Sequence, residues 1–342
     1  MSSTALIENG ANFDRRIAFL DLAKCIALCW VIWDHTEASF MMEPVDNMIL
    51  AVFWICSGYT TRPDFKIKGK IKLIWYYFFM SAVLVLFSVF HLGKAFTLNS
   101  FWGILYARYY FFDAPGSPAN PCLLDMNNGA LWFLPSLFTS YCVLKLLLKA
   151  RSGKAQALLC AASLAIGTLF TFLPVLLPWS IDSAFVIAVI MCMGHWLRRY
   201  GIMEKSGLPI AVSLLLIFLC FDRVTWLINV SVRDYGNWWP SYMVTAPAGV
   251  MALLLFCRYF DRTWLARISV AFDREALFIF GLQAIFINLA VERMDLLVEN
   301  WRWRISIIII SCFAGGFLAG KAYKFMGALL KTGYRSILGS ER

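Results

Sequence analysis

Metal-binding and redox signatures are missing from this chain. It has no Cys-x-x-Cys pair and no glycine-rich phosphate loop, and its three histidines stand far apart at His35, His91 and His195. Zinc coordination, dithiol redox chemistry and P-loop nucleotide binding therefore have no sequence support, and no metal is expected. Charge is scarce too: Asp, Glu, Lys and Arg make up 15% of the 342 residues against 61% apolar ones, and the mean hydropathy is +0.68. That balance excludes a soluble globular protein. No stretch is long and polar enough for a separate soluble domain. A cleavable signal is not expected, because the first twelve residues are polar and the first apolar run carries charges inside it. Internal repeats are absent, which weakens a transporter built from duplicated halves.

Apolar runs fill the space left by these absences. Ten are long enough to read as membrane spans, at roughly 17–35, 47–61, 73–93, 129–148, 156–177, 180–197, 207–222, 241–257, 268–290 and 305–325. An eleventh apolar stretch, 98–112, is short and aromatic, and fits an interfacial or re-entrant helix better than a span. Every cysteine except Cys122 lies in or at the end of an apolar run, where it reads as a small buried hydrophobe and not as part of a disulfide framework. The expected fold class is all-α: one polytopic membrane domain over residues 1–342, with about ten transmembrane helices.

The net charge of +10 invites a nucleic-acid reading, but its distribution argues against one. Lys and Arg cluster in alternate connections, at 62–72, 145–154, 198–205 and 258–274 and in the tail from Lys321. Asp34, Glu37, Glu43 and Asp46 follow the first apolar run. The positive-inside rule then places both termini in the cytoplasm, with 1–16 as an N-terminal segment and 326–342 as a tail. No nucleic-acid partner is expected, and the basic loops face anionic membrane lipids.

Chemistry concentrates in the first span, which carries Asp21, Lys24 and His35. Lys24 and His35 are eleven positions apart, three helical turns plus about 20° at 100° per residue, so they share a face. Asp21 lies about 40° from His35 on the same face. A charged side chain at the centre of a bilayer costs about 2.5–3.5 kcal/mol, so a stripe of such groups marks a functional site. The plainer alternative is an Asp21–Lys24 pair near the inner interface, with His35 capping the helix in the outer headgroups. As a neutral imidazole, His35 can take the proton of an attacking hydroxyl, with a nearby carboxylate setting its tautomer. Asp34 and Glu37 are the near candidates. Asp34 points about 100° away on an ideal helix, so its help requires the helix end to unwind. Asp21 is about 21 Å below His35 along the axis, too far for contact, and is expected to hold Lys24 or meet a partner helix.

Three segments in order resemble acyltransferase family 3, the ten-helix bacterial membrane O-acyltransferases that modify surface carbohydrates. The basic-residue-X10-His pattern of that family falls on Lys24 and His35. Phe53-Trp54-Ile55-Cys56-Ser57-Gly58-Tyr59 is similar to its Phe-Phe-Phe-Ile-Ser-Gly-Tyr, and Leu131-Trp132-Phe133-Leu134-Pro135-Ser136-Leu137-Phe138 to its Leu-Trp-Phe-Leu-Pro-Ala-Leu-Phe. The branch most alike is the one related to fucose 4-O-acetylase. Departures occur as well. The usual arginine pair before the third helix is replaced by Lys66, Lys68, Lys70 and Lys72, which keep the charge but lose bidentate phosphate geometry. A His-Met-Pro of the family appears as Ile49-Leu50-Ala51, and a late histidine as Gln283.

The resemblance implies an acetyl-CoA donor, with Lys68, Lys70 and Lys72 as candidate binders of its phosphates and Lys24 as a cation drawing the donor inward. It also implies a carbohydrate or lipid-linked glycan acceptor, a place in the inner membrane and His35 as general base, with an acyl-histidine relay less favoured. The competing reading is a transporter or flippase using Asp21, Lys24 and His35 as a proton or ion relay. A transporter usually spreads such charges over several helices, whereas here the first helix holds nearly all of them. Trp132 and Phe133 are expected to pack or anchor at the interface, and His91 and His195 to be interfacial.

Overall fold

Long apolar runs with few breakers fold as helices, because a backbone inside a membrane must satisfy its own hydrogen bonds. The computed structural model of the chain describes residues 17–36, 39–112, 120–150, 152–226, 228–237, 239–294 and 300–339. The expected N-terminal segment 1–16 and Glu37 lie outside the described residues. Among those described no strand forms, and only two isolated bridges occur, Phe112 with Val175 and Asn229 with Asp234.

In chain order the helices are α1 (Ala18–Asp34), α2 (Glu43–Thr60), α3 (Lys72–Phe90), α4 (Leu98–Tyr106), α5 (Phe133–Leu147), α6 (Gly153–Phe170) and α7 (Ile181–Arg199). They continue with α8 (Ile202–Lys205), α9 (Leu208–Thr225), α10 (Trp239–Tyr259), α11 (Trp264–Asp273), α12 (Ala276–Met294) and α13 (Trp301–Gly339). Nine of the ten expected spans each correspond to one of these helices, and the tenth, 268–290, is divided between α11 and α12. Eight described helices are long and apolar enough to cross a membrane. The other two expected spans are α1, which has 17 residues, and α2, whose first turn carries Glu43, Asp46 and Asn47. Both pack against other helices, with Lys24 of α1 meeting Asp273 of α11 and Asn47 of α2 meeting Asp222 of α9.

Three departures from the sequence reading have local causes. The expected span 268–290 is divided: α11 ends at Asp273, and α12 starts afresh at Ala276. The expected span 305–325 is part of a 39-residue helix that continues to Gly339, since no proline follows Trp301 to stop it. Segment 98–112 is helical only over the nine residues of α4. There Thr97 and Ser100 form a capping box at the start, and Ala107 turns left-handed at φ 55° to end it. Leu98, Phe101, Trp102 and Leu105 on α4 are exposed, so this helix is too short to span and fits the interfacial role.

Glycines set the tightest contact. A Cβ on Gly58 of α2 would lie 1.8 Å from the Met191 carbonyl oxygen of α7, and one on Gly194 of α7 would lie 2.1 Å from that of Ile55 on α2. The two helices therefore touch backbone to backbone, as small residues at membrane interfaces allow. Polar groups tie other pairs. Asn47 of α2 donates to Asp222 (2.7 Å) and to the Trp226 carbonyl (2.8 Å), and Thr225 meets Ser241 and Thr245 of α10 at 2.7 and 2.8 Å. Helix α7 is central, with 78% of its most apolar stretch buried, whereas α9 is peripheral at 17%.

Candidate active site

His35 follows the last residue of α1 and caps that helix. Its Nδ1 lies 2.6 Å from the Val31 carbonyl, one turn back. A carbonyl can only accept, so Nδ1 carries the proton, and in the neutral imidazole Nε2 then keeps its lone pair. The tautomer is thus set by backbone, where a carboxylate was expected. Asp34, the last residue of α1, and His35 both border one cavity.

That cavity has a volume of about 610 Å³. Its walls come from the end of α1, the start of α2 (Asp46, Ile49, Leu50), the segment after α4 (Tyr109, Tyr110), the turn before α5 and the α9–α10 connection (Asn229, Ser231, Asp234). Gly129 is required in this wall, since a Cβ there would sit 2.4 Å from the Tyr109 ring. Phe133 and Phe280, whose ring centroids are 5.4 Å apart, line it as well, and Trp54 stacks beside Phe133. Phe280 lies in the second turn of α12, so that helix also borders the cavity. Trp132 and Phe133 pack into the core as expected, and they border the cavity as well.

A buried ionic cluster, unforeseen in the sequence, braces two of these walls. Arg108, Asp182 and Arg233 are all sequestered from solvent. Arg108 Nη2 is 3.0 and 2.9 Å from the two Asp182 oxygens, its Nη1 donates to Ser180 at 2.7 Å, and Arg233 Nε is 3.5 Å from Asp182. Asp182 also accepts from the backbone of Leu177 and Ser183 at the start of α7, where the helix dipole favours an anion. Arg233 donates to the carbonyls of Phe170 and Leu173. Arg108 immediately precedes the lining residues Tyr109 and Tyr110, and Arg233 lies within the lining loop 229–234. Ser183 also holds that loop through the Val230 carbonyl at 3.2 Å. Sequence gave no signal for this cluster beyond three charges in otherwise apolar surroundings.

Lys24 and Asp21 are elsewhere. Lys24 Nζ is 3.1 Å from Asp21 and 2.8 Å from Asp273 at the end of α11. The intrahelical pair is present, but the break between α11 and α12 adds a second carboxylate, and neither Asp21 nor Lys24 is among the residues lining the His35 cavity. Of the basic candidates, Lys68 and Lys72 are exposed, while Lys70 Nζ is 3.9 Å from the centroid of the Tyr141 ring. His91 is exposed and meets Glu292 at 3.1 Å. His195 is buried within the protein near the end of α7, with Nδ1 3.1 Å from the Thr61 carbonyl, because the close approach of α2 and α7 brings that carbonyl alongside. Among the described residues no His, Cys, Asp and Glu group has the arrangement of a metal site.

An all-helical bundle with multiple membrane-crossing helices defines a multi-pass membrane protein, here with a cavity bordered by a histidine. The sequence profile of acyltransferase family 3, described as an acyltransferase domain, matches residues 17–321. The chain belongs to that family and is a membrane acyltransferase. No curated protein and no solved structure matched it.

Proposed function

We propose that this acyltransferase moves acetyl from acetyl-CoA to a hydroxyl of a surface polysaccharide or lipid-linked glycan, with His35 as general base. The observation that carries the proposal is the Nδ1 bond from His35 to Val31 at the edge of a 610 Å³ cavity, which leaves Nε2 as the proton acceptor. His35 Nε2 takes the proton of the acceptor hydroxyl as its oxygen attacks the thioester carbonyl. The tetrahedral intermediate collapses, the C–S bond breaks, and the imidazolium returns its proton to the departing thiolate. The products are an acetyl ester and free coenzyme A.

The protein lies in the inner membrane with both termini cytoplasmic, so the donor arrives at the Lys24 end and the acceptor at the His35 end. Lys68, Lys70 and Lys72 attract the donor phosphates, and the slender pantetheine arm extends inward toward Phe133 and Phe280. Asp21 and Lys24 act with Asp273 to lock α1 against α11. Membrane lipids surround α6 and α9, whose apolar faces are exposed. The deciding experiment is label transfer from [acetyl-¹⁴C]acetyl-CoA into membrane glycolipid and polysaccharide. Vesicles carrying the wild-type protein are compared with vesicles carrying His35→Ala at matched expression. Label that depends on the wild-type protein and disappears in the variant supports the reading; equal label in both overturns it.

A further inference from the structure

The charge of the cavity narrows the acceptor class; the inference rests on the acyl-transfer reading above. Three carboxylates line the chamber, Asp34 from α1, Asp46 from α2 and Asp234 from the α9–α10 connection, and no Lys or Arg stands among the described lining residues. They come from three separate elements, so the charge belongs to the chamber and not to one loop. Between them lie aromatic groups, Tyr109, Tyr110 and Trp132, which offer flat apolar faces.

Two further side chains point to a hydroxyl-rich ligand. Tyr242 lines the cavity with 1% of its surface exposed, and its hydroxyl hydrogen-bonds to no described residue. Asn128, also 1% exposed, directly precedes the lining residue Gly129, and neither of its amide atoms has a protein partner. Buried polar groups without partners are unfavourable unless something else satisfies them. Carboxylates accept from vicinal hydroxyls or ammonium groups, while aromatic faces cover the apolar C–H faces of a sugar ring. The same carboxylates repel a uronate or a phosphate, and a cleft of one sign focuses that field.

We propose that the acceptor segment admitted beside His35 is an uncharged or amino-bearing polyol, and that anionic sugars are excluded from the chamber. The test reads cavity charge without needing acetyl transfer. A cysteine is placed by Ala130→Cys, in a Cys122→Ser background, in detergent-purified full-length protein. Its reaction is timed with cationic trimethylammonioethyl, neutral hydroxyethyl and anionic sulfonatoethyl methanethiosulfonates, each normalised to its rate with a free small thiol. Leu50→Cys serves as a second reporter if the first variant fails to fold.

The cationic reagent should react on the order of tenfold faster than the anionic one, the scale of enrichment expected in a cleft of one sign. The ratio should fall toward one when Asp46→Asn and Asp234→Asn are combined. A normalised ratio at or below one overturns the proposal. So does a ratio that the double variant leaves unchanged, or a reporter that none of the three reagents reaches. Because His35-dependent label transfer is measured separately, a neutral cavity in an active acetyltransferase refutes this inference alone.

Discussion

The two ends of the bundle use the same residue types for opposite purposes. At the Lys24 end one cation is clamped between two carboxylates at 3.1 and 2.8 Å. At the His35 end the carboxylates of Asp34, Asp46 and Asp234 line a cavity beside an imidazole whose Nδ1 is held by the Val31 carbonyl. The ionic groups that do bind each other there, Arg108, Asp182 and Arg233, lie behind the walls, not in them. Polarity inside a membrane protein is therefore no evidence of chemistry by itself. What separates a site from a strut is whether the polar group faces a cavity or another charge.

Exchanging the two key residues of α1 should break this contrast most visibly. His35→Ala should lower acetyl transfer by about 10²–10⁴-fold, the usual contribution of a general base, while the thermal unfolding midpoint in detergent stays where it was. A midpoint that falls together with activity would make His35 a strut like Lys24. Next in size is Asp182→Ala, which leaves two guanidinium groups buried without their anion. A fully buried pair broken in this way costs about 3–5 kcal/mol, and the absence of any exposure at either partner places Asp182 at the upper end. Because the cluster braces the 109–110 and 229–234 walls, transfer should fall as well, with a raised KM for the acceptor. An unfolding shift with unaltered kinetics would show that the walls hold without it.

Much of this contrast was legible in the sequence, and what was not has a physical reason. The spacing of Lys24 and His35 placed both on α1, His35 as its cap, since a single helix fixes its own geometry. Most of the spans were readable because lipid demands long apolar runs. Asp273 was hidden: it is remote from Lys24 in sequence, and the helix break that delivers it falls inside an apolar run read as continuous. Arg108, Asp182 and Arg233 were invisible for the same reason, as three elements must fold before they meet. Trp132 and Phe133 do pack, but composition does not reveal that these packed rings also border a cavity.

Lys24→Met sharpens the contrast from the other side. It removes the cation and leaves Asp21 and Asp273 facing one another, both nearly buried. Lys24 itself keeps 23% exposure, which screens part of the interaction, so the cost sits near the lower end of the buried-pair range, about 3 kcal/mol. The unfolding midpoint should drop while the surviving folded fraction retains its turnover. A normal midpoint with lost turnover would move Lys24 from the frame into the reaction.

The smallest effect should come from the basic segment before α3, and its smallness is informative. Lys68 and Lys72 are exposed, so replacing both with Ala leaves no buried group unsatisfied and should change stability by less than about 0.5 kcal/mol. Lys70 is left in place, because its ammonium sits over the Tyr141 ring and its loss would mix packing with charge. If the two exposed lysines meet the donor phosphates, the KM for acetyl-CoA should rise a few-fold with kcat unchanged, the signature of lost uniform binding. Raising the ionic strength should shrink the difference between wild type and variant, since exposed charges are screened over roughly 8–10 Å at physiological salt. A KM that ignores both the substitution and the salt would mean that these lysines only orient the chain in the membrane. The donor would then have to be held by groups deeper in the bundle, nearer Phe133 and Phe280.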